Sequence, residues 1–157
     1  MSETTSGDKA LRLAMQMEEI GRIFYEAFAE GCGKADMADL ARRLAGQEQD
    51  HYRTFRRMRE ALAGGGRPAP GGAEAAAEEE LLRKHVVPEP AEVRRVALAG
   101  NAADALDLAV RMEEDSVRFY SALRADAAPA DAEAIDRIID AEKGHLAALR
   151  RLRDAGA

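Results

Sequence analysis

Two of the three histidines in this chain follow a glutamate by three residues. The pairs are Glu48 with His51 and Glu142 with His145. In a helix this spacing puts a carboxylate and an imidazole one turn apart on the same face, so one helix can offer two ligands to one metal ion. A single such pair is usually a solvated pair. Two pairs in one chain indicate a metal site if further acids face inward beside them.

Such acids occur in a segment that the chain repeats. Residues 14–25 read Ala-Met-Gln-Met-Glu-Glu-Ile-Gly-Arg-Ile-Phe-Tyr, and residues 109–120 read Ala-Val-Arg-Met-Glu-Glu-Asp-Ser-Val-Arg-Phe-Tyr. Each copy precedes one of the Glu-x-x-His pairs. The repeat indicates two helical hairpins with pseudo-two-fold symmetry, and neither hairpin could bury its apolar stripe alone.

Helical phase decides which glutamate of each Glu-Glu doublet faces the core. Glu18 lies on a stripe of mainly apolar residues, whereas Glu19 lies among charged and polar residues. The same comparison selects Glu113 over Glu114. We therefore expect the first glutamate of each doublet to point inward and the second to face water.

Together the motifs would bury four carboxylates and two imidazoles, with no Lys or Arg at the matching height on the inward stripes. Burial of these groups without compensation would cost several kcal/mol for each ionised group, so a cation must lie among them. A pair of metal ions is the simplest candidate, and this ligand set suits iron or manganese and tolerates zinc. The alternative is a coincidental or vestigial arrangement. The predicted ligands are Glu18, Glu48, His51, Glu113, Glu142 and His145.

Two tyrosines share the stripes of the inward glutamates. Tyr25 and Tyr120 are predicted to donate hydrogen bonds to the carboxylates, and a redox role is the alternative. The third histidine, His85, is predicted to lie on the surface.

Helical periodicity over most of the chain predicts an all-α fold. We predict a single domain, 1–157, built as a four-helix bundle with one hairpin over 8–63 and another over 101–155. Asn101 is a suitable helix cap, and Pro129 suits a first helical position. The 64–100 connection is Gly- and Pro-rich at its start, leaves room for a short helix over 74–84, and is long enough to cross the bundle from end to end.

Composition excludes several classes of protein. The sequence is 46% hydrophobic but only 4% aromatic, which favours helices over a β-sandwich. A net charge of −6 gives no electrostatic reason to bind nucleic acid or an anionic membrane. One cysteine, no signal-like N-terminus and no long apolar run lead us to expect a cytoplasmic protein.

With these motifs the chain resembles the rubrerythrin family of the ferritin-like di-iron carboxylate superfamily. The resemblance covers both hairpins and rests on Ala14-x-x-Met-Glu-Glu-x-x-x-x-Phe-Tyr25, Glu48-x-x-His51, Ala109-x-x-Met-Glu-Glu-x-x-x-x-Phe-Tyr120 and Glu142-x-x-His145. It implies a ferritin-like bundle with two iron ions that oxidises Fe(II) and reduces peroxide or O2, and it implies a homodimer or higher homo-oligomer. By position it implies that Glu18, Glu48 and His51 form one half of the site, that Glu113, Glu142 and His145 form the other, and that Glu48 and Glu142 bridge them.

The chain departs from that family's pattern at two points. Rubrerythrins proper carry a rubredoxin domain with paired Cys-x-x-Cys motifs, and this chain has one cysteine. They also carry a further glutamate three residues after the third-helix ligand, where this chain has Ser116. The remaining six ligands are more similar to the bacterioferritin centre.

The leading hypothesis is a non-haem di-iron carboxylate oxidoreductase that takes electrons from an external donor. The first alternative is a metal-binding or iron-handling bundle without multiple turnover. The second is a structural bundle with zinc in the site.

Overall fold

The computed structural model of the chain describes residues 6–65 and 88–156. In those two ranges it contains five helices and no strand, which confirms the all-α prediction. The possible helix over 74–84 and His85 lie outside the described residues. The helices are α1 (Ser6–Gly31), α2 (Ala35–Ala63), α3 (Pro90–Leu98), α4 (Ala102–Ala125) and α5 (Pro129–Asp154).

Local sequence signals mark several ends of the long helices. Asn101 is the N-cap of α4, and its side chain accepts a hydrogen bond from the backbone N–H of Asp104 at 3.2 Å. Pro129 occupies the first turn of α5, where its missing N–H costs no intrahelical bond. Gly33 has a φ of 68°, a left-handed conformation that lets the chain turn between α1 and α2.

The short helix α3 was not predicted, because residues 64–100 were assigned to the connection. It packs against α1 through Val93 and Ala97, which are 0% and 3% exposed. A Cβ added to Gly31 would lie 2.9 Å from the backbone oxygen of Ala97, so α1 and α3 approach each other closely. A nine-residue helix with two buried positions has little periodicity to detect. Pro90 occupies the first turn of α3, where its missing N–H costs no intrahelical bond.

Two apolar clusters fill the two ends of the bundle. One cluster combines the second halves of α1 and α5 with the first halves of α2 and α4 and with α3. The other combines the first halves of α1 and α5 with the second halves of α2 and α4. This distribution makes α2 and α4 parallel, so α2 ends and α4 begins at opposite ends of the bundle. That arrangement is the one expected of the predicted crossover, most of which lies outside the described residues.

Outside the core, the helices carry many Arg–carboxylate pairs. Asp8 on α1 accepts hydrogen bonds from Arg12 and from Arg59 on α2, each at 2.6 Å, which joins the start of α1 to the end of α2. Arg124 on α4 pairs with Asp136 on α5 at 2.8 Å. None of the described helices combines the length and apolarity that a membrane span requires.

Candidate metal centre

Six buried polar side chains lie between the two apolar clusters. They come from all four long helices: one from α1, two from α2, one from α4 and two from α5. Their exposed fractions range from 0% for Glu142 to 9% for His51. The set is Glu18, Glu48, His51, Glu113, Glu142 and His145, so the structure brings together every residue that the sequence predicted as a ligand.

The second glutamate of each doublet lies elsewhere, on the surface. Glu19 pairs with Arg22 at 2.6 Å, and Glu114 pairs with Arg150 of α5 at 2.6 Å. Their side chains are 41% and 39% exposed. Helical phase therefore separates the two members of each doublet as predicted, since adjacent residues point about 100° apart around the axis.

The six side chains form two overlapping groups. The His51 group contains Glu18, Glu48, His51 and Glu142, and the His145 group contains Glu48, Glu113, Glu142 and His145. Within each group one ligand atom from every side chain lies within 4.8 Å of all the others. Glu48 and Glu142 belong to both groups, so two adjacent metal positions would share them.

Both imidazoles turn Nδ1 toward the carboxylates. His51 Nδ1 lies 2.7 Å from Glu142 Oε1 and 3.4 Å from Glu18 Oε2. His145 Nδ1 lies 3.1 Å from Glu48 Oε1 and 3.1 Å from Glu142 Oε2. The rings stack with centroids 5.9 Å apart and an interplanar angle of 19°, which matches the pseudo-two-fold relation of the hairpins.

The hydrogen bonding of these atoms tests whether a metal fits. Among the described residues, the buried side-chain N and O atoms without a hydrogen bond all belong to this cluster. They are both oxygens of Glu18 and of Glu142, Oε1 of Glu48, and Nδ1 of His51 and His145. The two Nδ1 atoms lie within ion-pair distance of carboxylates, but these contacts lack the geometry of a hydrogen bond. Buried polar atoms left without partners cost stability, and a cation bound among them would satisfy all of them at once. The donor set fits a pair of metal ions with oxygen and imidazole ligands.

In the metal-free protein the cluster compensates its negative charge with protons. Burial is the main reason that the pKa values of Glu18 and Glu48 lie well above their ordinary value, and it raises the pKa of Glu113 to about 8. Burial acts to lower the pKa of His145, but its carboxylate neighbours outweigh this and raise the pKa to about 12. Glu142 is the exception: burial acts to raise its pKa, yet its contacts with both imidazoles lower it.

The two tyrosines are buried next to the cluster but differ in their contacts. Tyr25 on α1 donates a hydrogen bond to Glu113 Oε1 on α4, the glutamate of the other hairpin. Tyr120 on α4 faces Glu18, the glutamate of the first hairpin, and its hydroxyl also lies 3.5 Å from the backbone oxygen of Ala14, which is a long contact. Burial raises the pKa of both phenols well above 10, so both remain neutral donors.

Two residues next to the cluster were not identified from the sequence. Gly21 faces Glu48, and a Cβ at this position would lie 3.2 Å from Glu48 Oε2. The sequence feature that could have identified Gly21 is a glycine inside a helix, on the same stripe as the inward-facing Glu18. The second residue is Gln47, whose Oε1 lies 3.0 Å from His145 Nε2. No local pattern marks it, because the contact joins α2 to α5.

Comparisons with known proteins agree with this geometry. A family model described as rubrerythrin matches residues 9–153. Among solved structures, the chain is similar to a ferritin-like diiron-carboxylate protein from Thermotoga maritima, with 25% sequence identity and a TM-score of 0.78. That match covers 98% of this chain and 97% of the other. No curated protein sequence matches the chain. The predicted ferritin-like helical bundle is confirmed.

Proposed function

This chain belongs to the rubrerythrin family, and from that premise we propose that it is a non-haem di-iron carboxylate oxidoreductase. The proposed activity is oxidation of Fe(II) with reduction of peroxide or O2. One observation carries the proposal: two overlapping groups of carboxylates and an imidazole leave buried polar atoms unpaired around a common centre. Such a centre is costly in a protein unless it binds cations.

The proposed ligands follow from the two groups. The His51 group would hold one iron ion and the His145 group the other, with Glu48 and Glu142 shared between them. Carboxylates and single imidazoles are the ligands that ferrous and ferric ions accept in helical bundles of this type. When bound, the ion pair supplies the electrons that reduce peroxide or O2.

The protein's own contribution is to exclude water and to position charge. The apolar clusters at both ends of the bundle enclose the site, so its charges interact in a medium of low dielectric constant. Tyr25 holds Glu113 through its hydroxyl, and this bond fixes one carboxylate across the hairpin boundary. The protons held by the raised pKa values of Glu113 and His145 must leave when a cation replaces them.

Electrons for repeated turnover would come from outside this sequence. Its single cysteine, Cys32, cannot build a site of four thiolates, so we propose an external reductant. Association into homodimers and a cytoplasmic location remain predictions.

The second candidate is iron binding without repeated turnover. Ser116 supports it, because this half-buried residue stands where rubrerythrins proper supply a further glutamate to the site. A hydroxyl at this position adds no charge to balance the more oxidised ion pair. The structure has no other inward carboxylate among its described residues to take that place.

Metal analysis of the purified protein is the first experiment. We expect two iron ions per chain after anaerobic loading with Fe(II), followed by the near-ultraviolet absorption of Fe(III) when peroxide or air is admitted. Glu113→Gln should lower the bound iron, whereas Glu114→Gln, its surface neighbour, should not. Equal iron content in wild type and Glu113→Gln would refute the ligand assignment.

Repeated consumption of peroxide distinguishes the oxidoreductase from an iron-binding protein without turnover. Loaded protein with excess peroxide and an external reductant should consume many equivalents of peroxide if the protein is an enzyme. Consumption that stops after one equivalent for each ion pair would favour iron binding without turnover. Zinc in the purified protein, with no Fe(II) uptake after its removal, would refute both.

A further inference from the structure

One hydrogen bond distinguishes the two histidines of the centre. Gln47 on α2 places its Oε1 3.0 Å from Nε2 of His145 on α5. Gln47 precedes the shared ligand Glu48 and lies at the exposed edge of a groove of about 630 Å³ between α2 and α5. Nε2, the nitrogen of the His145 ring that points away from the carboxylates, therefore contacts a polar side chain at the opening of this groove.

The groups that contact the two nitrogens of the His145 ring determine which nitrogen carries the proton when a cation is bound. Nδ1 faces carboxylate oxygens of Glu48 and Glu142, each at 3.1 Å, so this nitrogen must offer its lone pair to a bound cation. A neutral imidazole that binds through Nδ1 carries its proton on Nε2, and that N–H needs an acceptor. The carbonyl oxygen of Gln47 is the acceptor within reach, and this also fixes the orientation of its amide.

Among the described residues, His51 has no partner equivalent to Gln47. By the internal repeat, the place of Gln47 is taken on α5 by Ala141, which has no polar side-chain atom. Within the described part of the chain, every contact of His51 with a polar group is made through Nδ1. The ring of His51 is held on its metal side only, whereas the ring of His145 is held on both.

We propose that Gln47 is a positioning residue that holds His145 with Nδ1 toward the carboxylates and so makes the His145 group the tighter of two unequal metal positions. This inference rests on the proposed function, in which both groups bind iron. A ring already held in its binding orientation loses less freedom when the ion arrives, and the fixed Nε2–H keeps Nδ1 basic. The first ion should therefore enter the His145 group and the second the His51 group.

Anaerobic calorimetric titration with Fe(II) tests the inequality. Wild type should bind two ions in two resolved steps. Because partners of metal-ligating histidines typically change affinity by about 10–100-fold, Gln47→Ala should weaken the first step by that factor and leave the second near its wild-type value. Gln47→Glu, which keeps an acceptor for Nε2–H, should retain the first step. Ala141→Gln supplies the missing partner to His51 and should tighten the second step.

Nitrogen-15 NMR of the metal-free protein gives a readout that does not depend on iron. We expect the Nε2–H proton of His145 to exchange slowly with solvent in wild type and in Gln47→Glu, and quickly in Gln47→Ala. A merely structural role of Gln47 would not change this one proton selectively. Equally fast exchange of this proton in wild type and in Gln47→Ala would overturn the proposal.

The two experiments separate the failure of this inference from that of the proposed function. If wild type binds no Fe(II), the proposed function fails, and the inequality of the two positions fails with it. If wild type binds two ions and Gln47→Ala binds both unchanged, the inference fails while the proposed function stands. Equal weakening of both steps by Gln47→Ala would also overturn the inference, since it would indicate a general effect on the bundle.

Discussion

Because Gly21 has no side chain, the carboxylate of Glu48 can lie directly against the backbone of α1. A Cβ there would lie 3.2 Å from Oε2 and 3.3 Å from Cδ of Glu48, both closer than ordinary van der Waals contact. Glu48 is shared by both ligand groups, so a shift of its carboxylate affects both metal positions. In the other copy of the repeat, Ser116 occupies the place of Gly21, which makes it a natural control.

Gly21→Ala should weaken metal binding without weakening the fold. The new methyl group displaces the Glu48 carboxylate, and a disturbed ligand of this kind lowers affinity by about tenfold. Replacing a helix-interior glycine by alanine should at the same time stabilise the metal-free protein by up to about 0.5–1 kcal/mol. Fe(II) titration and urea unfolding measure the two effects. Ser116→Ala should leave the affinity for Fe(II) unchanged, and an unchanged affinity in Gly21→Ala would contradict the prediction.

Metal affinity should rise with pH across the neutral range. Because the raised pKa values of Glu113 (about 8) and His145 (about 12) keep protons on the metal-free cluster near pH 7, each ion must displace protons to bind. Raising the pH removes protons from Glu113 first and reduces this competition. Calorimetry in two buffers of different ionisation enthalpy should show proton release, and binding without proton release would count against it.

For single residues, the sequence predicts the site residues that are the same in both copies of the repeat. It does not predict the site residues that differ between the copies. The six ligands recur at matching places, and helical phase selects Glu18 over Glu19 without any structure. Gly21 and Gln47 have different residues at their matching places, Ser116 and Ala141. Their roles depend on which side chain of another helix faces them, and this is not encoded in local periodicity.

Among the described elements, α1 and α3 approach each other closely at Gly31. Gly31 ends α1, and an added Cβ would lie 2.9 Å from the backbone oxygen of Ala97 and 3.0 Å from Cα of Leu98. Both neighbours are backbone atoms of α3, which cannot yield as a flexible side chain does. The buried residue Val93 holds α3 in this place.

Gly31→Ala should therefore destabilise the bundle by about 1–3 kcal/mol, the usual cost of overpacking a close contact. Gly46→Ala is the matched control, because a Cβ at position 46 meets nothing within 4 Å and alanine is the better helix former. Urea unfolding followed by circular dichroism measures both. Equal stability of Gly31→Ala and wild type would mean that α3 does not hold this position in solution.

Element prediction succeeds where a strong local signal exists. Asn101 and Pro129 start α4 and α5 as expected, because capping and the fixed φ of proline act within one turn. Helix α3 is missed because its stability comes from packing on Gly31 and from the buried Val93, which only the folded chain provides. Short helices depend on tertiary contacts more than on their own sequence.

At the scale of the whole molecule, the centre lies where the two hairpins meet. Burying four carboxylates and two imidazoles there opposes folding unless cations or protons neutralise them. The metal-free bundle is held by the two apolar clusters and by surface pairs such as Asp8 with Arg59. The antiparallel hairpins were predictable from loop length and periodicity, whereas the distribution of the core into two clusters was not.

Metal loading should raise the free energy of unfolding. A ligand present at 100 times its dissociation constant stabilises the folded state by about 2.7 kcal/mol for each site. The urea midpoint of iron-loaded protein should exceed that of chelator-treated protein, and the increase should shrink in Glu113→Gln. Identical midpoints with and without iron would show that the cluster does not bind metal in the folded state.

The sharing of Glu48 and Glu142 has a further consequence for the integrity of the molecule. Each ligand group takes three side chains from one hairpin and a single carboxylate from the other: Glu142 completes the His51 group and Glu48 completes the His145 group. Two bound ions would thus crosslink the two hairpins. If a protease cut the backbone between Gly65 and Pro88, the two fragments of the metal-loaded protein should remain associated, and a chelator should weaken their association.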